Sequence, residues 1–138
     1  HDLARLIRTI PDFPRPGIQF RDITTLLQNG PGFASSIAAM AEPLTETPDA
    51  IAAIEARGFL FGAALAARLG CGLILLRKRN KLPGPVTAID YALEYGEDRL
   101  EMCADAVTPG SRLLLVDDLI ATGGTAIAAV TLLRSAGA

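Results

Sequence analysis

Histidine is almost missing from this sequence; the single one is His1. That leaves no imidazole inside the chain to act as a general base or a metal ligand. Any proton transfer falls to a carboxylate, a lysine or a tyrosine. Cysteine is nearly as scarce. Cys71 and Cys103 stand in no metal-binding or redox spacing and read as reduced, partly buried thiols of a cytoplasmic protein. No apolar run reaches the roughly 20 residues of a membrane span, and no signal-peptide pattern opens the chain. An excess of positive charge is also lacking. Thirteen Lys and Arg face fifteen Asp and Glu, a net charge of −2, which argues against general nucleic-acid affinity. Two nucleotide motifs are absent as well. No Gly-Lys-Ser/Thr forms a Walker loop, and the G-x-G-x-x-G spacing does not occur.

What is present is one globular domain's worth of chain. Its 138 residues are half hydrophobic and one fifth charged, enough for a real core. Positive charge is concentrated in Arg77-Lys78-Arg79-Asn80-Lys81. In a mildly acidic protein such a cluster suits a small polyanion, although a solvated loop explains the charge equally well.

The most informative segment runs from Leu113 to Thr125. Leu113-Leu114-Leu115-Val116 reads as a strand buried on both faces of a parallel sheet. Asp117 and Asp118 follow at its carboxyl end, where ligands of open α/β sheets bind. Ala121-Thr122-Gly123-Gly124-Thr125 is a tight turn into a helix. Its glycines allow close backbone approach, and the unpaired N–H groups and positive dipole end of the helix suit a phosphate. Two acceptor-only carboxylates repel a second phosphate but suit vicinal hydroxyls or a hydrated Mg²⁺. Phosphate beside a diol reads as a phosphorylated ribose. A plain helix cap would account for one Asp and one Thr, not for the whole set.

Along the rest of the chain, Leu3, Leu6, Ile7 and Ile10 predict a helix that Pro11 stops. Pro11, Pro14, Pro16 and Gly17 stiffen an extended segment leading to Phe20-Arg21-Asp22. A helix is expected from Pro31 to Glu42, a buried strand over Ala50 to Ile54, and a helix to Leu69 capped by Gly70. Strands are expected at Gly72 to Leu76, Val86 to Leu93 and Arg99 to Met102. The pattern predicts an α/β fold with a mainly parallel sheet.

Several candidates stay open on the residues alone. Arg57, after the strand Ala50 to Ile54, serves a salt bridge or an anion; Gly58 beside it favours close approach of a ligand. Glu94 is one acid among Glu97, Asp98 and Glu101. Phe20 is a core residue or the apolar face for a planar base.

Five ordered segments together resemble one family. Asp117 to Thr125 resembles the phosphoribosyl-diphosphate (PRPP) motif of type I phosphoribosyltransferases. Pro11-Asp12-Phe13-Pro14 through Gly17 to Phe20-Arg21-Asp22-Ile23, Glu55-Ala56-Arg57-Gly58-Phe59, Arg77 through Lys81 to Leu82-Pro83-Gly84, and Leu93-Glu94-Tyr95-Gly96 are similar to the adenine phosphoribosyltransferases. The resemblance runs from about Leu3 to the last residue. It implies a type I phosphoribosyltransferase fold, a single domain over 1–138, and a small base-binding hood over about residues 1–25. It implies that adenine and PRPP give AMP and diphosphate, with Mg²⁺ held mainly through PRPP and water, in a cytoplasmic homodimer.

By the same resemblance, Asp117 and Asp118 hold the ribose hydroxyls, and Ala121, Thr122, Gly123, Gly124 and Thr125 hold the 5′-phosphate. Arg57, Gly58, Arg77, Lys81 and Tyr95 meet the diphosphate, Phe20 and Arg21 the adenine, and Glu94 the proton at adenine N7. Family members continue past the position of Ala138 with a further strand and helix, so a C-terminal part is expected to be missing, and His1 reads as a cut end. A xanthine-specific transferase, a PRPP-sensing regulator and a plain α/β ribonucleotide-binding module are the rival readings. Leu93-Glu94-Tyr95-Gly96 and the Gly123-Gly124 pair argue against the first. The basic segment and the lack of a DNA-binding segment argue against the second.

Overall fold

The computed structural model describes residues 3–6, 8–11, 16, 19–93, 96–117 and 124–138; the side chains at 3–4, 8–11 and 19–21 are not described. The chain forms two compact units, His1–Leu44 and Thr45–Ala138.

The first unit opens with a 3₁₀ turn at Leu3–Leu6, followed by β1 (Arg8–Pro11). β1 pairs antiparallel with β2 (Gln19–Asp22), in a register from Arg8↔Asp22 to Pro11↔Gln19. The helix expected over Leu3 to Ile10 is therefore one turn and a strand. Thr9 and Ile10 are β-branched, and pairing with the chain returning after the proline-rich segment outweighs a short helical period. Asp22 is buried at the junction to α1 (Thr24–Gln28), where its Oδ1 accepts from Thr24 N at 2.9 Å and Thr24 Oγ1 at 2.7 Å. α2 (Gly30–Ala41) follows, with Asn29 accepting from Gly32 N at 2.8 Å and Pro31 in its first turn.

The second unit is built on a parallel sheet. β3 (Ala50–Ile54) lies between β4 (Gly72–Leu76) and β7 (Leu113–Val116). The registers run Ala50↔Gly72 to Ile54↔Leu76 and Ala50↔Leu113 to Ala53↔Val116. α3 (Arg57–Leu69) crosses from β3 to β4 and ends on Gly70, whose φ of 71° is the left-handed cap that glycine adopts without strain.

The alternation along β3 divides its neighbours. Ile51 and Ala53 face α3, where a Cβ on Gly62 would lie 2.6 Å from Ala53 Cβ. Ala52 and Ile54 join the opposite core with Ile74, Leu76, Leu100, Met102 and the Ala128, Ala129, Leu132 and Leu133 face of α4 (Gly124–Ser135). Both faces of the central strand are thus covered. β7 is less enclosed than its apolar run predicts. Only Val116 is buried and Leu113 to Leu115 are half-buried, because β7 pairs on one side only among the described residues.

β5 (Val86–Leu93) and β6 (Gly96–Cys103) make an antiparallel hairpin in a register from Val86↔Cys103 to Leu93↔Gly96. β6 is longer than the Arg99 to Met102 expected from apolar alternation. Backbone pairing continues through Glu97 and Asp98, whose side chains give no strand signal. Reciprocal hydrogen bonds between Arg77 and Glu101, at 2.9 and 2.7 Å, tie the hairpin to the end of β4.

Candidate functional site

Because the three central strands are parallel and in step, Ile54, Leu76 and Val116 end at one edge of the sheet. Glu55, Arg77 and Asp117 leave the strands there, at the edge where open α/β sheets bind ligands. Of the residues selected from the sequence, Arg57 and Gly58 open α3, Arg77 and Lys81 follow β4, Asp117 follows β7, and Gly124 and Thr125 open α4. Glu94, Tyr95, Asp118, Ala121, Thr122 and Gly123 lie outside the described residues. Phe20 and Arg21 are paired with Ile10 and Thr9 on β2 of the first unit.

Gly58 is the closest link between these segments. A Cβ built on it would lie 3.1 Å from Val116 O, 3.2 Å from Asp117 Oδ1 and 3.3 Å from Asp117 Cα. The start of α3 therefore packs directly on the end of β7, which only a residue without a side chain allows at this distance. The preceding peptide, Glu55–Ala56, is cis.

Glu55 organises the basic segment. Its backbone N–H donates to Leu76 O at 3.0 Å, and its side chain accepts from the Lys78 N–H and from Lys81 Nζ at 2.6 Å. Arg77 Nε lies 3.6 Å from Glu55 Oε1, and the guanidinium stands 5.8 Å from the centre of the Phe59 ring. Arg77 Nε is buried without a hydrogen-bond partner. Burial pushes the Glu55 carboxyl up. Hydrogen bonds from Lys81 and the Lys78 N–H, with the charges of Lys81 and Arg77, outweigh it and hold the group below its ordinary value.

Lys78 is engaged rather than simply solvated. Its ammonium donates to Tyr91 OH at 2.7 Å and to Asp98 Oδ2 at 2.5 Å, and lies 5.4 Å from the centre of the Tyr91 ring. Tyr91 and Asp98 are directly paired across the hairpin. Thr125 Oγ1, at the start of α4, reaches Tyr91 OH through a long contact of 3.4 Å. Burial pulls the Lys78 ammonium down, and the bonds to Asp98 and Tyr91 more than offset it, so the group stays charged. Asp98 is raised by burial but held below its ordinary value by Lys78. Asn80, in the left-handed region at φ 64°, donates its N–H to Glu101 Oε1 at 3.0 Å, and Arg99 Nε donates to Glu101 Oε2 at 2.9 Å.

Sequence reasoning missed Glu55, Tyr91 and Asp98. An acid directly before Ala-Arg-Gly and a polar pair near a hairpin turn were the available signals. Neither says which cation it will hold until the strands are in register.

Among the described residues no group of three His, Cys, Asp or Glu side chains could hold a metal ion, and no helix is long and apolar enough to cross a membrane.

Comparison with known proteins gives a consistent picture. Residues 24–138 match the phosphoribosyl transferase domain. The adenine phosphoribosyltransferase of Sphingopyxis alaskensis is 59% identical over 138 residues, which are 99% of this chain and 75% of that protein. The crystal structure of adenine phosphoribosyltransferase from Thermoanaerobacter pseudethanolicus superposes with a TM-score of 0.94 at 50% identity, covering 99% of this chain and 80% of that one. The enzyme from Saccharomyces cerevisiae, complexed with D-2,5-dideoxy-2,5-imino-altritol 1,6-bisphosphate and adenine, gives a TM-score of 0.93 at 38% identity, covering 98% and 80%.

Proposed function

As a member of the adenine phosphoribosyltransferase family, the chain, we propose, catalyses transfer of the 5-phosphoribosyl group from PRPP to adenine, yielding AMP and diphosphate. The observation that carries this reading is the convergence of Glu55-Ala56-Arg57-Gly58, the basic segment and Asp117 on one sheet edge. It occurs in a chain 59% identical to a relative of that name.

The reaction forms a bond from adenine N9 to C1′ of the ribose as the bond from C1′ to the diphosphate oxygen breaks. Diphosphate leaves with the electron pair, and the proton shed from the imidazole ring of adenine at N7 passes to Glu94. A transition state of this kind is loosely bonded on both sides. Its barrier falls when the leaving charge meets cations already in place. Arg57 and Arg77 are suited to that task, and Lys81 and Tyr95 are assigned to it with them. Arg77 leaves β4 at that edge with its Nε 3.6 Å from Glu55 Oε1, so Glu55 and Lys81 hold the basic segment where the strands end. Gly58, which brings the start of α3 against Asp117, is also assigned to the diphosphate.

Asp117 and Asp118 are assigned to the ribose hydroxyls. Ala121, Thr122, Gly123, Gly124 and Thr125 are assigned to the 5′-phosphate, a reading supported by the N-terminus of α4 at Gly124. Phe20 and Arg21, within a base-binding hood of about residues 1–25, are assigned to adenine. Mg²⁺ suits this donor set as a cation held chiefly by PRPP oxygens and water, with Asp117 and Asp118 able to take its waters. When bound it would neutralise diphosphate charge. The enzyme is proposed to be a cytoplasmic homodimer.

The test is AMP formation from PRPP with adenine, hypoxanthine and xanthine in turn. Turnover with adenine alone is expected. Turnover with xanthine in its place would move the chain to another purine specificity. PRPP binding without AMP formation would leave a binding protein. Asp117→Asn combined with Asp118→Asn should weaken PRPP binding, as measured by calorimetry.

A further inference from the structure

The proposed reaction leaves one cluster without a role: Lys78, Tyr91 and Asp98. Its geometry is specific. Tyr91 and Asp98 face each other across the hairpin, two pairs back from Leu93↔Gly96, the last pair before the residues Glu94 and Tyr95. Between them they hold the Lys78 ammonium at 2.7 and 2.5 Å. The same lysine donates its backbone N–H to Glu55 at the end of β3. Tyr91 OH is also the atom that Thr125 Oγ1 reaches from the start of α4.

These contacts join the end of β3, the segment after β4, the hairpin and the start of α4. The chain of polar groups runs from Glu55 through Lys78 to the hairpin and on to α4. Lys78 and Asp98 are both half-buried, and the ammonium is held by a charge-assisted bond to Asp98 and a second bond to Tyr91. A solvated lysine would link nothing.

We propose that Tyr91 and Asp98 are positioning residues for the transfer step: by gripping Lys78 they fix the stem of the hairpin, up to Leu93, against the basic segment and the start of α4. The inference rests on the phosphoribosyl-transfer reading for its kinetic consequence. Its structural consequence does not depend on that reading. Neither residue touches the reacting atoms. Both act through the stem strand: Glu94, the residue assigned the proton, follows Leu93 directly in the sequence, and a misplacement of about 1 Å in a catalytic group is enough to cost up to 10²-fold in rate.

The experiment compares the parent chain with Asp98→Asn, Tyr91→Phe, Lys78→Met and the double variant Lys78→Met/Asp98→Asn. Two readouts are taken: steady-state kinetics with PRPP and adenine, and amide hydrogen exchange over residues 88–101. Asp98→Asn is expected to lower kcat about tenfold while the KM for PRPP changes less than about threefold. The double variant should be no slower than the worse single variant, since the residues act as one unit. Exchange near the hairpin turn should accelerate in Asp98→Asn while β3 stays protected. Asp98→Glu, which keeps the charge, should recover most of the rate.

Unchanged exchange near the turn in Asp98→Asn would overturn the proposal whatever the activity. So would additive losses in the double variant, or a loss confined to the KM for PRPP. A parent chain that forms no AMP would instead count against the phosphoribosyl-transfer reading, and the exchange result would still decide the positioning role.

Discussion

Gly58 and Asp117 are in direct contact: a methyl group on the glycine would stand 3.2 Å from Asp117 Oδ1 and 3.1 Å from the carbonyl oxygen before it. Two segments assigned to adjoining parts of PRPP, the diphosphate and the ribose, thus share one boundary.

Gly58→Ala follows from this contact. The neighbouring atoms, two of them backbone, must give way by a few tenths of an ångström. We expect a stability loss of about 1 kcal/mol, at the low end for overpacking. A several-fold rise in the KM for PRPP should accompany it, with the KM for adenine little changed. Steady-state kinetics with each substrate varied in turn checks this, and equal rises in both constants would refute it.

Gly62→Ala tests the packing behind the site. Its added Cβ would fall 2.6 Å from Ala53 Cβ, inside contact distance, on a strand that cannot retreat because its other face is also filled. A loss of about 1–3 kcal/mol is expected, read as a lower midpoint in urea with unchanged slope. A midpoint at or above that of the parent would mean that α3 moves freely on β3.

Glu94→Gln should cut kcat by roughly 10²-fold or more, the usual scale for a general acid–base group, and leave PRPP binding nearly intact. The comparison is turnover against the calorimetric affinity for PRPP. Unaltered turnover would move the proton to another acid.

Acid should weaken the fold through Glu55 and Asp98. Both carboxyls lie below their ordinary values of 4.5 and 3.8 in the folded chain, so the folded state binds fewer protons than the unfolded one. The stability they contribute is complete above those ordinary values and is lost as pH falls through the lower folded ones. Lys78 works the other way: held above 10.5, it contributes below that pH and loses its contribution as pH rises beyond it. A thermal midpoint that is level near neutrality should therefore drop below about pH 4.5. Glu55→Gln should flatten that drop, and an identical acid limb in the variant would remove Glu55 from its cause.

The sheet was legible because it is apolar. The bounds of β3, β4, β5 and β7 coincide with the runs read from the sequence, and Gly70 stands where a left-handed cap was expected. The misreadings share a different cause. At Leu3 to Ile10 the helical spacing of four residues was outweighed by a strand partner that returns only after the proline-rich segment, which no local period contains. At Gly96 to Asp98 the pairing is carried by backbone groups, invisible to a pattern of side chains. The sheet edge was legible as a place, since strands ending in Glu55, Arg77 and Asp117 must converge if they are parallel. Which cation meets which anion was not. Lys78 reads as one charge in a basic run, and only the register of β5 with β6 brings Tyr91 and Asp98 to it.

The central position of β3 has a consequence for motion. A strand paired on both sides and covered on both faces opens only when the whole second unit opens, so its amides should be among the slowest to exchange. Glu55, the anchor of the basic segment, is the first residue beyond that strand. The basic segment is therefore anchored on the part of the protein that opens last, and its cations keep their places for as long as that frame stays closed.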